Sequence, residues 1–330
     1  MNLQTDNTDE MYMRRTLQLA AMGLGNVQPN PMVGCVIVYQ NRIIGEGFHQ
    51  KYGEAHAEIN AIDSVKESVL LQQATLYVNL EPCSHYGKTP PCAETLIRLQ
   101  IPRVVIACQD PNPQVSGKGI EMLKQAGIKV VLGVLESEAR FLNRRFFTFM
   151  EQNRPYIILK WAQTLDGFMD IDRSGDNHSS YWITNEVLKF LSHRWRTQES
   201  AIAVGYRTVI NDNPQLTARL ISGKNPVRLI YDKSKTLSSN YNVFNNEAPT
   251  YCFSSLEEFK ILTQQHRLQS VIIEGGKKTL ELFIRENFWD EARVLTGNSY
   301  FGKGLSAPQL GIVPQKVEHY GDNTVAFYYR

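Results

Sequence analysis

The spacing of apolar residues changes from helical to alternating and back many times along this chain. MYMRRTLQLAAMGL (11–24) carries apolar residues at helical spacing, so a helix is predicted there with Thr8 or Asp9 as its cap. Gly25 and Pro29-Asn30-Pro31 break the chain. VGCVIVY (33–39) and RIIGEGFH (42–49) are rich in β-branched residues and separated only by Gln40-Asn41, which predicts a hairpin. The pattern then gives helix 56–65, strand 75–81, helix 92–100, strand 103–108, helix 119–127 and strand 129–134. ESEARFLNRRFFTFMEQ (136–152) reads as one helix. Alternating strands and helices of this kind predict an α/β sandwich around a largely buried sheet.

Asn153-Arg154-Pro155 follows, and a new strand, YIILKWAQ (156–163), opens a second series. That series has helix 185–197, strands 201–205, 227–232 and 270–276, and helix 278–287, with residues 234–248 as polar loop. The halves share no motif, so there is no internal repeat. We place the boundary near 147–154, giving domains 1–150 and 151–330.

Composition narrows the class. A length of 330 residues suits two domains, and 42% hydrophobic residues can fill their cores. The net charge of +2 provides no strong field for nucleic acid or membrane. The polar, acidic start MNLQTDNTDE is no signal peptide, and no apolar run reaches the roughly 18 residues of a membrane span. Five cysteines, an odd number, point to a reducing cytoplasmic setting in which cysteines are ligands or core filler. Cys35, Cys108 and Cys252 lie in predicted strands and read as filler.

The remaining two cysteines are different. His56-Ala57-Glu58 is followed by Pro82-Cys83 and then Cys92. His56, Cys83 and Cys92 make a three-ligand zinc set with a fourth position open to water, as a catalytic site requires. Zinc lowers the pKa of its water to about 7 and supplies hydroxide. Glu58 is placed to carry the proton from that water to a ring nitrogen and a leaving amine. His56 and Cys92 both begin predicted helices, whose N-termini favour thiolate and hydroxide. Zinc deaminases carry H-x-E and then P-C-x-x-C. Here eight residues, SHYGKTPP, separate the cysteines instead of two. Three functions fit these residues: a small-molecule deaminase, a nucleic-acid base deaminase with an unrelated second domain, and a structural zinc module fused to a binding domain. Near-neutral charge disfavours the second. The lack of a plain fourth protein ligand disfavours the third.

In the second half no G-x-G-x-x-G occurs. EGGKKTLELF (274–283) puts Gly275-Gly276 between a strand and a helix, where a phosphate can approach unpaired N–H groups.

EPCSHYGKTPPC (81–92), NPMVGCVIV (30–38), HAEINA (56–61) and QDPNPQVSGKG (109–119) together resemble the bifunctional riboflavin-biosynthesis deaminase/reductase family. The likeness runs from about residue 11 to 295 and is most specific in the first half. It implies a cytidine-deaminase-like three-layer sandwich followed by a dihydrofolate-reductase-like α/β domain. It also implies zinc-hydroxide deamination of 2,5-diamino-6-(5-phosphoribosylamino)pyrimidin-4(3H)-one, then NADPH-dependent reduction of the ribosyl chain to ribityl. Zinc on His56, Cys83 and Cys92 and the proton shuttle on Glu58 carry over. Substrate contacts of the deaminase carry over to Asn30, His49, Lys88 and Asp110.

KWAQTLDG (160–167), SYWIT (180–184) and RTVINDNPQLTAR (207–219) match the reductase half of the family. The resemblance implies NADP contacts at Ala162, Trp182, Thr208 and Asp212, and along Gly276, Lys277, Lys278, Thr279, Leu280, Glu281 and Leu282. Reductase substrate contacts fall on Ser180, Arg196, Leu216, Arg219 and Glu274, the two arginines serving as forks for a phosphate. Lys233 stands where the family commonly has serine. With Lys235 it makes a basic pair suited to the 2′-phosphate of NADP, so NADPH is expected over NADH. A cytoplasmic homo-oligomer, dimer or tetramer, acting on a small molecule is expected.

Overall fold

The computed structural model describes residues 7–86, 90–112, 115–171 and 181–330. The chain divides into two compact units, Met1–Asn153 and Arg154–Arg330.

In the first unit α1 (Asn7–Ala21) precedes the hairpin of β1 (Gly34–Tyr39) and β2 (Arg42–Phe48). Gln40 and Asn41 both take positive φ, 47° and 60°, as a two-residue hairpin turn demands. Then come α2 (Ala57–Asp63), β3 (Thr75–Leu80), α3 (Cys92–Arg98), β4 (Arg103–Cys108), α4 (Lys118–Gln125) and β5 (Lys129–Leu132). The sheet runs β2-β1-β3-β4-β5, antiparallel at the hairpin and parallel from β3 to β5. Alternate side chains go to opposite faces. Cys35, Ile37, Leu76, Val78, Val104 and Ile106 pack with residues of α2, α3 and α4. Val36, Val38, Tyr77, Val105 and Ala107 pack on the other face with Met13, Leu19, Ala139 and Phe146. This is a three-layer sandwich, as expected.

Two local expectations need correction. Asp9 does not cap α1; it lies buried inside it, bound by Arg103 at 2.6 Å and by the Tyr77 hydroxyl at 2.8 Å. The helix predicted over 136–152 is two helices, α5 (Glu136–Leu142) and α6 (Arg144–Gln152). The break is at Asn143, whose side chain turns inward to bind the backbone of Met32.

The second unit has an eight-stranded sheet in the order β10-β9-β8-β11-β6-β12-β15-β14. Its strands are β6 (Tyr156–Gln163), β8 (Ala201–Gly205), β9 (Val227–Tyr231), β10 (Thr250–Phe253), β11 (Ser270–Ile273), β12 (Glu291–Thr296), β14 (Lys316–Tyr320) and β15 (Asn323–Tyr329). A small ladder joins β7 (Phe168–Asp170) to β13 (Leu305–Ser306). The helices are α7 (Glu186–Gln198), α8 (Tyr206–Asp212), α9 (Leu256–Gln265) and α10 (Lys277–Arg285). The six strands from β10 to β12 are parallel, and β15 and β14 add an antiparallel edge. One face packs Leu159, Ala203 and Ile273 against Phe259, Leu280 and Phe283. The other packs Ile158, Ile202 and Ile272 with Leu188 and Trp195 of α7. Helices α8 and α9 and the four C-terminal strands β12 to β15 have no counterpart among the elements the sequence pattern predicts. No described helix is long and apolar enough to cross a membrane.

Candidate active sites

The first site forms beside the C-terminal ends of the parallel strands β3 and β4. His56 is the N-cap of α2. Cys83 follows the end of β3, and Cys92 is the first residue of α3. Their ligand atoms lie within 4.8 Å of one another. His56 Nδ1 is 3.3 Å from Cys92 Sγ and 3.6 Å from Cys83 Sγ. Tetrahedral zinc, with bonds of about 2.0 Å to nitrogen and 2.3 Å to sulfur, separates such donors by roughly 3.5 Å. The donor set therefore fits zinc in kind and in spacing.

Local electrostatics agree. Hydrogen bonds from Cys92, including its backbone N–H at 3.2 Å, and from His56 pull the Cys83 thiol down to about 4. The Cys83 sulfur in turn raises His56 to about 9, and Cys92 is pushed well up as the proton-bearing partner. These shifts favour a thiolate at Cys83 and a protonated ring at His56 when no cation is bound. Loading a cation must expel protons, so its affinity rises with pH. Glu58 is in the first turn of α2 and 3% exposed; burial, then the Cys83 charge, raises its carboxyl.

His49 lies edge-on to His56, with ring centroids 5.6 Å apart. Its Nδ1 donates to the Ala55 carbonyl at 3.0 Å, which leaves Nε2 to accept from Asn30 Nδ2 at 3.1 Å. Burial lowers its pKa, so the ring is held neutral. Asn30 and His49 are therefore brought together next to the triad. Asp110, after β4, is almost buried; burial first, then the Glu81 charge, raises its carboxyl to about 6. Lys88 lies outside the described residues.

Sequence reasoning missed the residues that hold these parts in place. Asn143 accepts from Met32 N and donates to Met32 O, both at 2.8 Å. Asn79 donates to Met32 O at 3.0 Å and accepts from Gly34 N at 2.8 Å. Both asparagines are buried, and together they fix the backbone at Met32, directly after the Pro29-Asn30-Pro31 turn. Glu81 accepts four backbone N–H bonds from the segment that carries Asp110. The available signal was a lone Asn inside the apolar strand TLYVNL.

The second unit has a cavity of about 1410 Å³ at the C-terminal ends of β8, β9 and β11. This is where chain order reverses in the sheet, the usual place for a ligand in an open α/β fold. Thr208, Asp212, Lys233, Gly276, Lys277, Lys278, Thr279 and Glu281 line it, as does Glu274. Gly276 caps α10, and its N–H donates to Thr208 Oγ1 at 3.2 Å. A Cβ on Gly205 would meet Thr279 Oγ1 at 2.4 Å, so glycine is what lets α10 sit so close to β8.

Other sequence candidates lie elsewhere. Ala162, Trp182, Leu280 and Leu282 are not among the residues lining this cavity, and neither are Arg196, Leu216 and Arg219. Leu280 and Leu216 are buried in the apolar cores. Trp182 is 58% exposed beneath Lys189 Nζ, 4.7 Å from its ring centre. Ser180 lies outside the described residues. Arg196 is not an open fork, because it binds Glu274 through Nη2 at 2.7 Å and the Thr217 carbonyl through Nη1 at 3.0 Å. Arg219 is exposed and makes no ion pair among the described residues.

Lys160 and His193 join this cluster unforeseen. Lys160 Nζ is 3.6 Å from Glu274 Oε2, and the two cations hold Glu274 down at about 2 despite its burial. His193 is 2% exposed; burial and the charges of Arg196 and Arg219 lower it to about 4, so it is neutral. Lys160 is a charge inside the apolar run YIILKWAQ, a signal present in the sequence and not used.

Residues 6–108 match the model of the cytidine and deoxycytidylate deaminase zinc-binding region, and residues 155–324 match the RibD C-terminal domain. The riboflavin biosynthesis protein RibD of Aquifex aeolicus is 40% identical over 98% of this chain and 98% of its own length. The chain belongs to the RibD family. RibD of Escherichia coli is likewise 40% identical, over 84% of this chain and 77% of that protein. Among solved structures, the diaminohydroxyphosphoribosylaminopyrimidine deaminase/5-amino-6-(5-phosphoribosylamino)uracil reductase of Thermotoga maritima superposes with a TM-score of 0.87. It is 39% identical, and the match covers 97% of this chain and 98% of that one. Acinetobacter baumannii RibD gives the same score at 33% identity.

The fold expected from the resemblance, a cytidine-deaminase-like domain followed by a dihydrofolate-reductase-like one, is therefore the fold of this RibD member. So is the bifunctional character: a zinc-type deaminase domain and a reductase domain of riboflavin biosynthesis in one chain. An unrelated second half, and a zinc module without enzymatic activity, are both excluded.

Proposed function

We propose that domain 1–150 deaminates 2,5-diamino-6-(5-phosphoribosylamino)pyrimidin-4(3H)-one, and that domain 151–330 reduces the ribosyl chain of the product to ribityl with NADPH. The observation that carries this reading is the triad of His56, Cys83 and Cys92 at zinc spacing with Glu58 beside it. The substrates follow those in the name of the Thermotoga maritima relative.

Deamination of this kind is a hydrolysis. Water adds at the ring carbon that bears the amine, and the C–N bond then breaks to release ammonia. His56, Cys83 and Cys92 would hold zinc, which would supply a Lewis acid able to lower the pKa of a water to about 7. Glu58 takes the proton from the water and passes it to the ring nitrogen and the departing amine. Neutral His49 orients Asn30, whose amide, with Asp110, suits the donor and acceptor edges of an amino-pyrimidine. Lys88 is assigned to the substrate phosphate.

In the reductase the residues lining the cavity beside β8, β9 and β11 would hold the cofactor, and the Gly275-Gly276 turn and the start of α10 would offer backbone N–H groups to its phosphates. NADPH held there would supply a hydride for C1 of the opened sugar, and solvent the balancing proton. The protein's part is to hold that carbon in line. Arg219 is the open fork for the substrate phosphate, while Arg196 and Lys160 fix Glu274. Lys233 lines the cavity, whereas Lys235 is tied to Glu258 at 2.8 Å, so Lys233 is the reader of the 2′-phosphate. Five free cysteines suit a reducing cytoplasm, and assembly as a dimer or tetramer is proposed on the family resemblance.

The decisive experiment removes metal and follows both steps. Chelated protein should release no ammonia from the diaminopyrimidine, yet still oxidise NADPH with the deaminated compound. Loss of both reactions, or of neither, defeats the assignment.

A further inference from the structure

We infer that Glu81 is a positioning residue for deamination, setting the segment that carries Asp110 in register with the metal ligands. The inference rests on the reading of Asp110 as a contact to the pyrimidine ring. Glu81 is only 4% exposed. Its Oε1 accepts from Gly119 N at 2.9 Å and Ile120 N at 3.1 Å. Its Oε2 accepts from Gly117 N at 2.9 Å and Asp110 N at 3.2 Å. A carboxylate has about four lone-pair sites, and here all four go to main-chain donors. Among the described residues no Lys, Arg or His pairs with it.

A buried charge satisfied only by backbone N–H groups holds a chain conformation rather than a partner side chain. Two glycines show how closely the segment follows it. Gly117 has φ of +78°, in the left-handed region. A Cβ on Gly119 would lie 2.1 Å from the Pro82 carbonyl oxygen. The segment thus lies directly on Glu81-Pro82, and the next residue is the ligand Cys83. Asp110 and Cys83 share one mount. A ring held by Asp110 and attacked at the metal site tolerates an error of only about 0.5 Å between the two, and this shared anchor keeps them in register.

The test is Glu81→Gln, which keeps the shape but turns one acceptor oxygen into a donor facing two N–H groups. Zinc should stay at one per chain, and NADPH oxidation with the deaminated compound should be unchanged. KM for the diaminopyrimidine should rise about tenfold while kcat changes much less, the pattern of lost ground-state positioning. Asp110→Asn alone should also raise KM, and the double variant should be no worse than the poorer single one. Should Glu81→Gln fail to fold, Gly117→Ala strains the same segment from the other side and should raise KM with zinc retained. An unchanged KM in the folded variant overturns the inference. So does loss of zinc from Glu81→Gln, since Glu81 would then act through Cys83. Additive effects in the double variant also overturn it. A normal KM in Asp110→Asn alone instead removes the ring contact on which the inference rests, and is told apart by that single variant.

Discussion

Single residues near the first site have separable duties. Glu58→Gln should retain zinc yet lose ammonia release by about 10²-fold or more, because an amide cannot carry the proton; metal analysis beside an ammonia assay checks it. Asp110 gives a pH-dependent prediction. Its folded pKa of about 6 lies above the ordinary 3.8. A carboxyl raised on folding contributes stability in its protonated form, complete below the unfolded value and lost as pH rises through about 6. Above that pH the buried charge costs stability. Asp110→Asn should therefore stabilise the first unit by roughly 2 kcal/mol at pH 8 and hardly at all near pH 4. Thermal melts at the two pH values measure this, and equal shifts at both would refute it. Across the chain, Lys233→Ala should weaken NADPH binding about 10-fold or more with NADH little changed. Lys235→Ala should leave the preference intact, because Glu258 already claims that ammonium. Titration of both cofactors decides between them.

At the level of elements, the short helices and the strand that bear the triad were legible because apolar spacing switches between helical and strand period from one to the next. Hairpin β1–β2 announced itself through Gln40-Asn41. The break between α5 and α6 was not legible, because its cause lies 111 residues away in Met32. No local pattern marks an asparagine that turns inward. Asn143→Ala should leave buried groups of Met32 without one of their partners and destabilise the first unit by about 2–3 kcal/mol. Denaturant unfolding of the full chain, with its two transitions read separately, tests that value. Glu81 was hidden for a similar reason: its partners are main-chain N–H groups, which any sequence possesses. Lys160 and Glu274 show the converse. Each was visible as a residue, but their pairing across β6 and β11 depends on strand order, and single strands do not state their neighbours.

For the whole molecule, two units with separate cores predict separable activities. A chain ending at Asn153 should release ammonia without binding NADPH, and one starting at Arg154 should do the reverse. Assay of each piece beside the full chain checks this, and two inactive pieces would mean that the units depend on one another. The strand order of the second unit also bears on how the protein is made. Strand β6 is its first to be synthesised, yet it sits between β11 and β12. Tyr156 pairs with Ser270, and Ile158 with Glu291. At about 5–20 residues per second, the ribosome needs on the order of ten seconds to deliver those neighbours. Throughout that interval YIILKWAQ leaves the exit tunnel as an apolar strand with both edges open, while the first unit is already complete. Newly made protein should therefore lean on chaperones during the second half of translation. Arrested nascent chains ending before β11 should show a protected first unit and a second half still open to protease.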